Sequence, residues 1–560
     1  MTMDLRKAPF ALDDGGVDWV ESTLEIMTVE QKVGQVLCVY LHSTDMAEWT
    51  AWLAEREIEP GAMMLTARPR LDARTHVAEL QEWSSIPLLI AGNLESGAVN
   101  FLSDTEAFAN PMQVAATGDV LHAQRLAEHC ARVANEVGIT WAFAPVIDLA
   151  MNPQNPITNT RTFGSDPAVV AEFGAVYIEA LESRGIATSP KHFPGDGVDD
   201  RDQHLATTSN DLDADSWWAT FGEVYRRTIA AGTRTIMVGH IRQPALSRAA
   251  RPGIADAELL PASLAPELVT GVLREQLGFN GLIVTDNSAM TGFTTVMARG
   301  EALAAALNAG VDMILGNVDV EEDFALLLAA VRDGRISGDR IDDAVRRVLA
   351  VKSSIGLPAG TDRADRDLPD VEQERAWRDE VAARAVTLVK DTQRLLPLDP
   401  ARHRRVLVCV IGDEPTFYDP SGPFAPQFVD GLRARGFEVE QRTVPHVTTA
   451  VEASRLHERF DVFIYFAVHR FIGNANTSRV SWAPWQGFDA PRHVVTLPTA
   501  LVSIADPYLL QDLPMVRTAI NCYTPTPSTV DAAIAVLVGE RPALGRSPVD
   551  PFAGHWDAAL

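Results

Sequence analysis

Eight short apolar runs separated by amphipathic stretches dominate the first 355 residues. They are VGQVLCVYL (33–41), GAMMLTA (61–67), PLLIAGN (87–93), WAFAPVID (141–148), GIATSPKHF (185–193), RTIMVGHI (234–241), GLIVTDN (281–287) and VDMILGN (311–317). A strand buried on both faces reads as a continuous apolar run, whereas a half-exposed strand alternates. Helical patterns such as DPAVVAEFGAVYIEALESRG and GEALAAALNAG lie between the runs. This alternation predicts an α/β fold of parallel strands with helical crossovers. Eight such units close most simply into a (β/α)8, TIM-like barrel. A doubly wound open sheet is the alternative, and it loses ground because no Gly-rich GxGxxG follows the first run.

Polar residues close five of the runs: Asn93, Asp148, Lys191 with His192, His240 and Asp286. In a parallel barrel the C-terminal ends of all strands open onto one face, where active sites are built. Any one of these residues alone could be a structural hydrogen-bonder. Five strands ending the same way point to a site.

After residue 355 the composition changes. GLPAGTDRADRDLPD (356–370) is rich in Gly, Pro and charge and reads as the core of a linker. The expected organisation is a barrel over 1–355, a linker over 356–378 and a smaller α/β sandwich over 379–560. The runs RVLVCVIG (405–412), VFIYFAV (462–468) and VVTLPTALVSIA (494–505) supply strands for the sandwich. No catalytic pattern stands out there.

The 560 residues carry a formal net charge of −27, with 46% hydrophobic and 22% charged residues. That is an ordinary globular balance. The negative charge speaks against nucleic acid or an anionic membrane as partner. The four cysteines (38, 130, 409 and 522) are far apart with no CxxC, so buried free thiols are expected in place of a disulfide framework or a zinc site. No run of about 18 apolar residues is present. The N-terminal MTMDLRKAPFALDD lacks the apolar core of a signal peptide. A cytoplasmic protein is the resulting expectation.

One stretch concentrates chemistry. Residues 191–204 read KHFPGDGVDDRDQH. His204 has Asp202 two residues before it, and a nearby carboxylate fixes the tautomer of an imidazole and raises its basicity. Such a histidine can give and take a proton near neutral pH. Gly195 and Gly197 would let this loop swing over a substrate. A solvated acidic loop is the plain alternative. A metal site built from Asp196, Asp199, Asp200, Asp202 and His204 is another, but the spacing lacks the glycine and the closing glutamate of an EF-hand. Asp286 follows GLIVT directly, so it emerges at a strand end. A carboxylate there, facing a separate proton donor, fits glycoside hydrolysis. A helix N-cap is its structural alternative.

Taken together, FAPVIDLAMNP (143–153), NTRTFGSDP (159–167), KHFPGDG (191–197), DQH (202–204), MVGHIRQPAL (237–246), PASLAPELVTGVLREQLGFNGLIVTDNSAM (261–290) and ALNAGVDMIL (306–315) resemble glycoside hydrolase family 3. Within it they resemble the β-N-acetylglucosaminidase branch. AVTLVKDTQRLLPL (385–398) and DPYLLQDLP (506–514) are similar to the family's C-terminal α/β sandwich. The resemblance implies a retaining enzyme that removes terminal β-linked N-acetylglucosamine from a small carbohydrate substrate, without a cofactor. It implies Asp286 as nucleophile, His204 as acid/base and Asp202 as the group orienting His204. Arg161, Lys191 and His192 would contact sugar hydroxyls, and Met290 would line the acetamido side. Other branches of the family take the acid/base from the second domain, which the Asp-x-His makes unnecessary here.

The chain also departs from the family pattern. Asn93 in NLESG stands where the family has the Asp of Asp-x-Glu-Gly-Gly, and an arginine usual shortly after is missing from the continuation AVNFL. The histidine of the usual PGHG is Asp196. The sugar is therefore left open by the sequence. So is phosphate as acceptor in place of water, because a neutral histidine does not repel phosphate as a carboxylate base would. A β-glycosidase of another sugar and a non-catalytic sugar-binding relative are the remaining alternatives. The oligomeric state is not addressed by the sequence.

Overall fold

The computed structural model describes residues 3–360, 368–415, 421–444, 446, 449–470, 479–482 and 490–560. The chain separates into two compact units. The first contains residues Met1–Thr105, Leu126–Leu149 and Pro167–Pro369, and the second Glu106–Arg125, Ala150–Asp166 and Asp370–Leu560.

The first unit is an eight-stranded parallel barrel. Its strands are β1 (Leu37–Leu41), β2 (Ala62–Leu65), β3 (Leu89–Gly92), β4 (Trp141–Ala142), β5 (Ala187–Thr188), β6 (Thr235–Val238), β7 (Leu282–Thr285) and β8 (Ile314–Leu315). Parallel ladders join β8 to β1 and run on through β2, β3, β4 and β5, and a further parallel ladder joins β6 to β7. Two single-residue parallel bridges, Phe193 to Val238 and Val284 to Met313, close the ring. Each of the eight apolar runs supplies one strand. Their residues are almost all buried, as strands covered by barrel interior on one side and helices on the other must be.

The ladders are shorter than the runs. The fourth run pairs only at Trp141–Ala142, and Pro145 follows with no N–H to give to a ladder. The remainder of that run bridges again at Val146 to Lys191, and Ile147 N donates to Lys191 O at 3.0 Å. This register lifts Asp148 to the rim beside His192.

The second unit carries a six-stranded sheet: β9 (Thr387–Asp391), β10 (Arg405–Ile411), β11 (Glu438–Thr443), β12 (Val462–Ala467), β13 (Thr499–Ser503) and β14 (Thr518–Asn521). Their order is β9-β14-β13-β12-β10-β11, parallel except for β9. Along β10, Val406, Val408 and Val410 face one apolar core while Leu407, Cys409 and Ile411 face another. A sheet with apolar cores on both faces is the α/β sandwich expected from the sequence.

The expected boundary differs in two respects. Residues 371–378, read as linker, belong to the helix Val371–Ala385, whose Asp370 N-cap accepts from Gln373 N. Residues 361–367 of that linker lie outside the described residues. In addition, two segments within 1–355 cluster with the second unit. One is tied there by Asn110 N to Thr524 Oγ1 (2.8 Å) and by Gln113 Nε2 to Cys522 O (2.7 Å). All four cysteines are free and buried.

Candidate active site

The barrel rim collects what the strands carry to it. Asp286 leaves β7 with its N–H on Val238 O at 2.8 Å, so its position is set by the β6–β7 register. Its Oδ2 lies 3.8 Å from His192 Nε2, and its Oδ1 accepts from Asn287 N at 2.7 Å. Burial alone would raise this carboxyl. The imidazoles of His192, His240 and His204 outweigh that effect and hold it below the usual carboxylate range. The group is thus an anion kept in a mostly water-free place by cationic neighbours. It is not a helix N-cap: the following turn, Thr291–Thr294, is preceded by Met290.

His192 is fixed from its other side. Asp148 accepts the His192 ring at Nδ1 (2.7 Å), the His192 backbone N–H (3.0 Å) and the Asp196 N–H (2.7 Å). The proton on Nδ1 is thereby committed to Asp148, and Nε2 is directed at Asp286. The Lys191–His192 peptide is cis.

Lys191 lies buried beside Glu95, with Nζ to Oε1 at 2.6 Å, and donates to Asn93 Oδ1 at 3.0 Å. The loop between Lys191 and His204 is packed, not loose. Gly195 and Gly197 both hold positive φ, and a Cβ on Gly195 would meet Phe221 at 2.1 Å. These glycines are required by backbone conformation and close approach in the first place.

His204 Nδ1 lies 2.7 Å from Asp202 Oδ1, the atom that also accepts His204 N–H at 2.7 Å. Asp202 is fully buried, whereas the His204 side chain keeps 32% of its surface exposed. One end of the imidazole is therefore anchored and the ring is reachable. The backbone around it is docked on the loop after β7: Thr291 N donates to His204 O and Gly292 N to Gln203 O, each at 3.1 Å. Met290, buried in that same loop, donates its N–H to Asn287 O at 3.0 Å. The other acidic residues of the stretch have separate partners. Asp199 binds Arg201 at 2.6 Å and accepts from Ser209 N at 2.8 Å, and Asp196 Oδ1 accepts from Gly197 N at 2.7 Å.

His240 completes the rim. Its Nε2 lies 3.0 Å from Asn287 O and its Nδ1 2.9 Å from Ser263 Oγ. Burial pushes this ring below the ordinary histidine range. A carbonyl only accepts, so Nε2 carries the proton and His240 braces the residue next to Asp286.

The structure thus brings together Asn93, Lys191, His192, Asp202, His204, Asp286 and Met290 on the first unit. Arg161 ends the turn Asn159–Arg161, in the second unit, with a guanidinium N–H on Ile157 O at 3.2 Å. Three contributors escaped the list of site residues drawn from sequence. Asp148 and His240 were visible only as strand-end polar residues. Glu95 had no signal beyond its place two residues after Asn93.

Chemically, the rim offers an ionised buried carboxylate, a separately anchored and reachable imidazole, and polar groups able to hold hydroxyls. Residues 28–351 match the model for the glycosyl hydrolase family 3 N-terminal domain. The chain belongs to glycoside hydrolase family 3. It is 42% identical, over 100% of both chains, to a protein of Cellulomonas fimi named β-N-acetylglucosaminidase/β-glucosidase. Among solved structures it is similar to one titled β-glucoside phosphorylase BglX, with a TM-score of 0.91 and 38% identity over 99% of both chains. It is also similar to a family 3 β-N-acetylglucosaminidase of Paenibacillus sp. str. FPU-7, with a TM-score of 0.78 and 25% identity over 94% of this chain and 99% of that one. A family 3 chain with this rim is an enzyme of the glycoside hydrolase class. Among the described residues no helix is long and apolar enough to cross a membrane.

Proposed function

We propose that this family 3 enzyme cleaves terminal β-linked N-acetylglucosaminides by double displacement with retention. Asp286 attacks the anomeric carbon while His204 protonates the leaving oxygen. His204 then deprotonates the acceptor that releases the sugar from Asp286. Asp202 holds the Nδ1 proton of His204 and favours its cationic form. Asn93, Arg161, Lys191 and His192 contact the sugar, and Met290 lines its acetamido side. No metal or cofactor takes part.

The observation that carries this reading is the pairing of a depressed, buried Asp286 with the exposed, Asp202-anchored His204 on one rim. Two groups whose environments push them toward opposite protonation roles are the mark of acid/base assignment. The acetamido preference is supported by the names of the Cellulomonas and Paenibacillus relatives. Trapping with a 2-fluoro glycosyl donor, followed by peptide mapping, tests the assignment. Label on Asp286 supports it, and label on any other residue overturns it.

Phosphate as acceptor is the second reading. It is favoured by a histidine in place of a carboxylate base, since a neutral imidazole does not repel an incoming phosphate. The similar structure named a phosphorylase points the same way. Product analysis in phosphate buffer separates the two: free sugar for water, sugar 1-phosphate for phosphate.

A further inference from the structure

We infer that Asn93 turns its corner of the sugar pocket into a hydrogen-bond donor, so that the substrate group held there accepts a hydrogen bond and need not give one. The inference rests on the reading of this rim as a sugar site. Asn93 directly follows β3, and its Oδ1 lies 3.0 Å from Lys191 Nζ. An ammonium has protons and no lone pair, so only the amide oxygen can face it. The amide is planar, and its NH2 group therefore points away from Lys191. Among the described residues no protein group accepts from that NH2. Asn93 is half-buried, so the NH2 is within reach of a ligand.

Charge explains why an amide fits here. Lys191 already has the carboxylate of Glu95 at 2.6 Å. A second carboxylate at position 93 would crowd two anions on one buried ammonium. Asn93 keeps the shape of an aspartate and its hydrogen bond to Lys191 without the second charge. The consequence lies on the ligand side. An aspartate offers only acceptors and obliges a sugar hydroxyl to donate. The Asn93 NH2 reverses that demand. A hydroxyl can satisfy it, and so can fluorine, an ether oxygen or an ester oxygen. The substrate class is therefore a β-glycoside whose ring substituent at this corner is an acceptor, O-substituted sugars included.

The test uses the full-length enzyme and p-nitrophenyl β-N-acetylglucosaminide analogues in which each free ring hydroxyl is replaced in turn by hydrogen or by fluorine. For wild type, one position is expected where the fluoro analogue keeps a kcat/KM about fivefold or more above the deoxy analogue, the worth of one hydrogen bond. Asn93→Asp, and separately Asn93→Ala, should bring the two analogues together at that position. The inductive slowing by fluorine is common to all three enzymes, so comparing their ratios isolates the contact. Identical fluoro-to-deoxy ratios in all three at every position would overturn the donor assignment. Failure of wild type to cleave the parent glycoside would instead overturn the sugar-site reading on which the inference rests.

Discussion

His192 Nε2 stands 3.8 Å from Asp286 Oδ2, while Asp148 holds the opposite nitrogen of the same ring at 2.7 Å. Asp148 therefore acts on Asp286 through His192. In Asp148→Asn the amide oxygen can keep the backbone N–H of His192, but its NH2 then faces Nδ1 and reverses the tautomer. We expect kcat to fall about 10- to 100-fold, the worth of one charge-assisted hydrogen bond. The pH profile should change with it while far-UV circular dichroism stays that of wild type. An unchanged kcat and profile would remove Asp148 from the positioning role.

The pH dependence should separate Asp286 from His204. Burial raises the Asp286 carboxyl, but the surrounding imidazoles hold it below its ordinary range, so it is ionised wherever histidines titrate. The alkaline limb of kcat/KM then reports loss of the proton His204 must donate. Asp202→Asn removes the anion that favours the imidazolium. That limb should move to lower pH by about one unit. Movement to higher pH, or none, would count against His204 as the acid.

Gly195→Ala places a methyl 2.1 Å from the Phe221 ring at a φ of +117°. Strain and overpacking together should cost about 2–4 kcal/mol. The displaced loop should lower kcat although residue 195 has no assigned chemical role. Gly253→Ala shares a positive φ but meets nothing within 4 Å. Its activity should match wild type, with only a small loss in melting temperature.

Lys352 is fully buried, donates to Gln35 Oε1 at 2.6 Å, and is pushed down by burial to about 7. An unfolded lysine titrates near 10.4. Between these values the unfolded chain binds the extra proton, so this group makes stability rise with pH, by a few kcal/mol in all. Below about pH 7 the burial cost is present in full. Chemical denaturation of wild type and Lys352→Met at pH 6 and pH 8 should show the variant gaining most at pH 6. An equal difference at both values would mean that Lys352 does not titrate in this window.

The barrel was legible because strands buried on both faces leave continuous apolar runs, and each of the eight runs supplies one strand. The second core was legible for the same reason in RVLVCVIG and VFIYFAV. Asp286 and the pair Asp202–His204 could be read because each sits in a local motif. Glu95 with Lys191, and Asp148 with His192, could not. Each pair joins residues from different strands, and only the barrel register decides that they meet. The hinge reading of Gly195 missed Phe221 for the same reason: a close approach from a distant helix leaves no mark in the local sequence. The helix starting at Val371 was hidden by the polar, proline-flanked composition around its cap, which reads as linker.

The interleaving of the two units bears on how such a chain could arise or be recombined. The chain passes from one unit to the other at residues 105/106, 125/126, 149/150, 166/167 and 369/370. Arg161 rides on one of the segments that the second unit claims. A single crossover after residue 369 would thus exchange the sandwich but leave two of its segments behind in the donor barrel. Inheritance of the two halves is therefore tied, and the pocket, with Arg161, can diversify only as a whole gene.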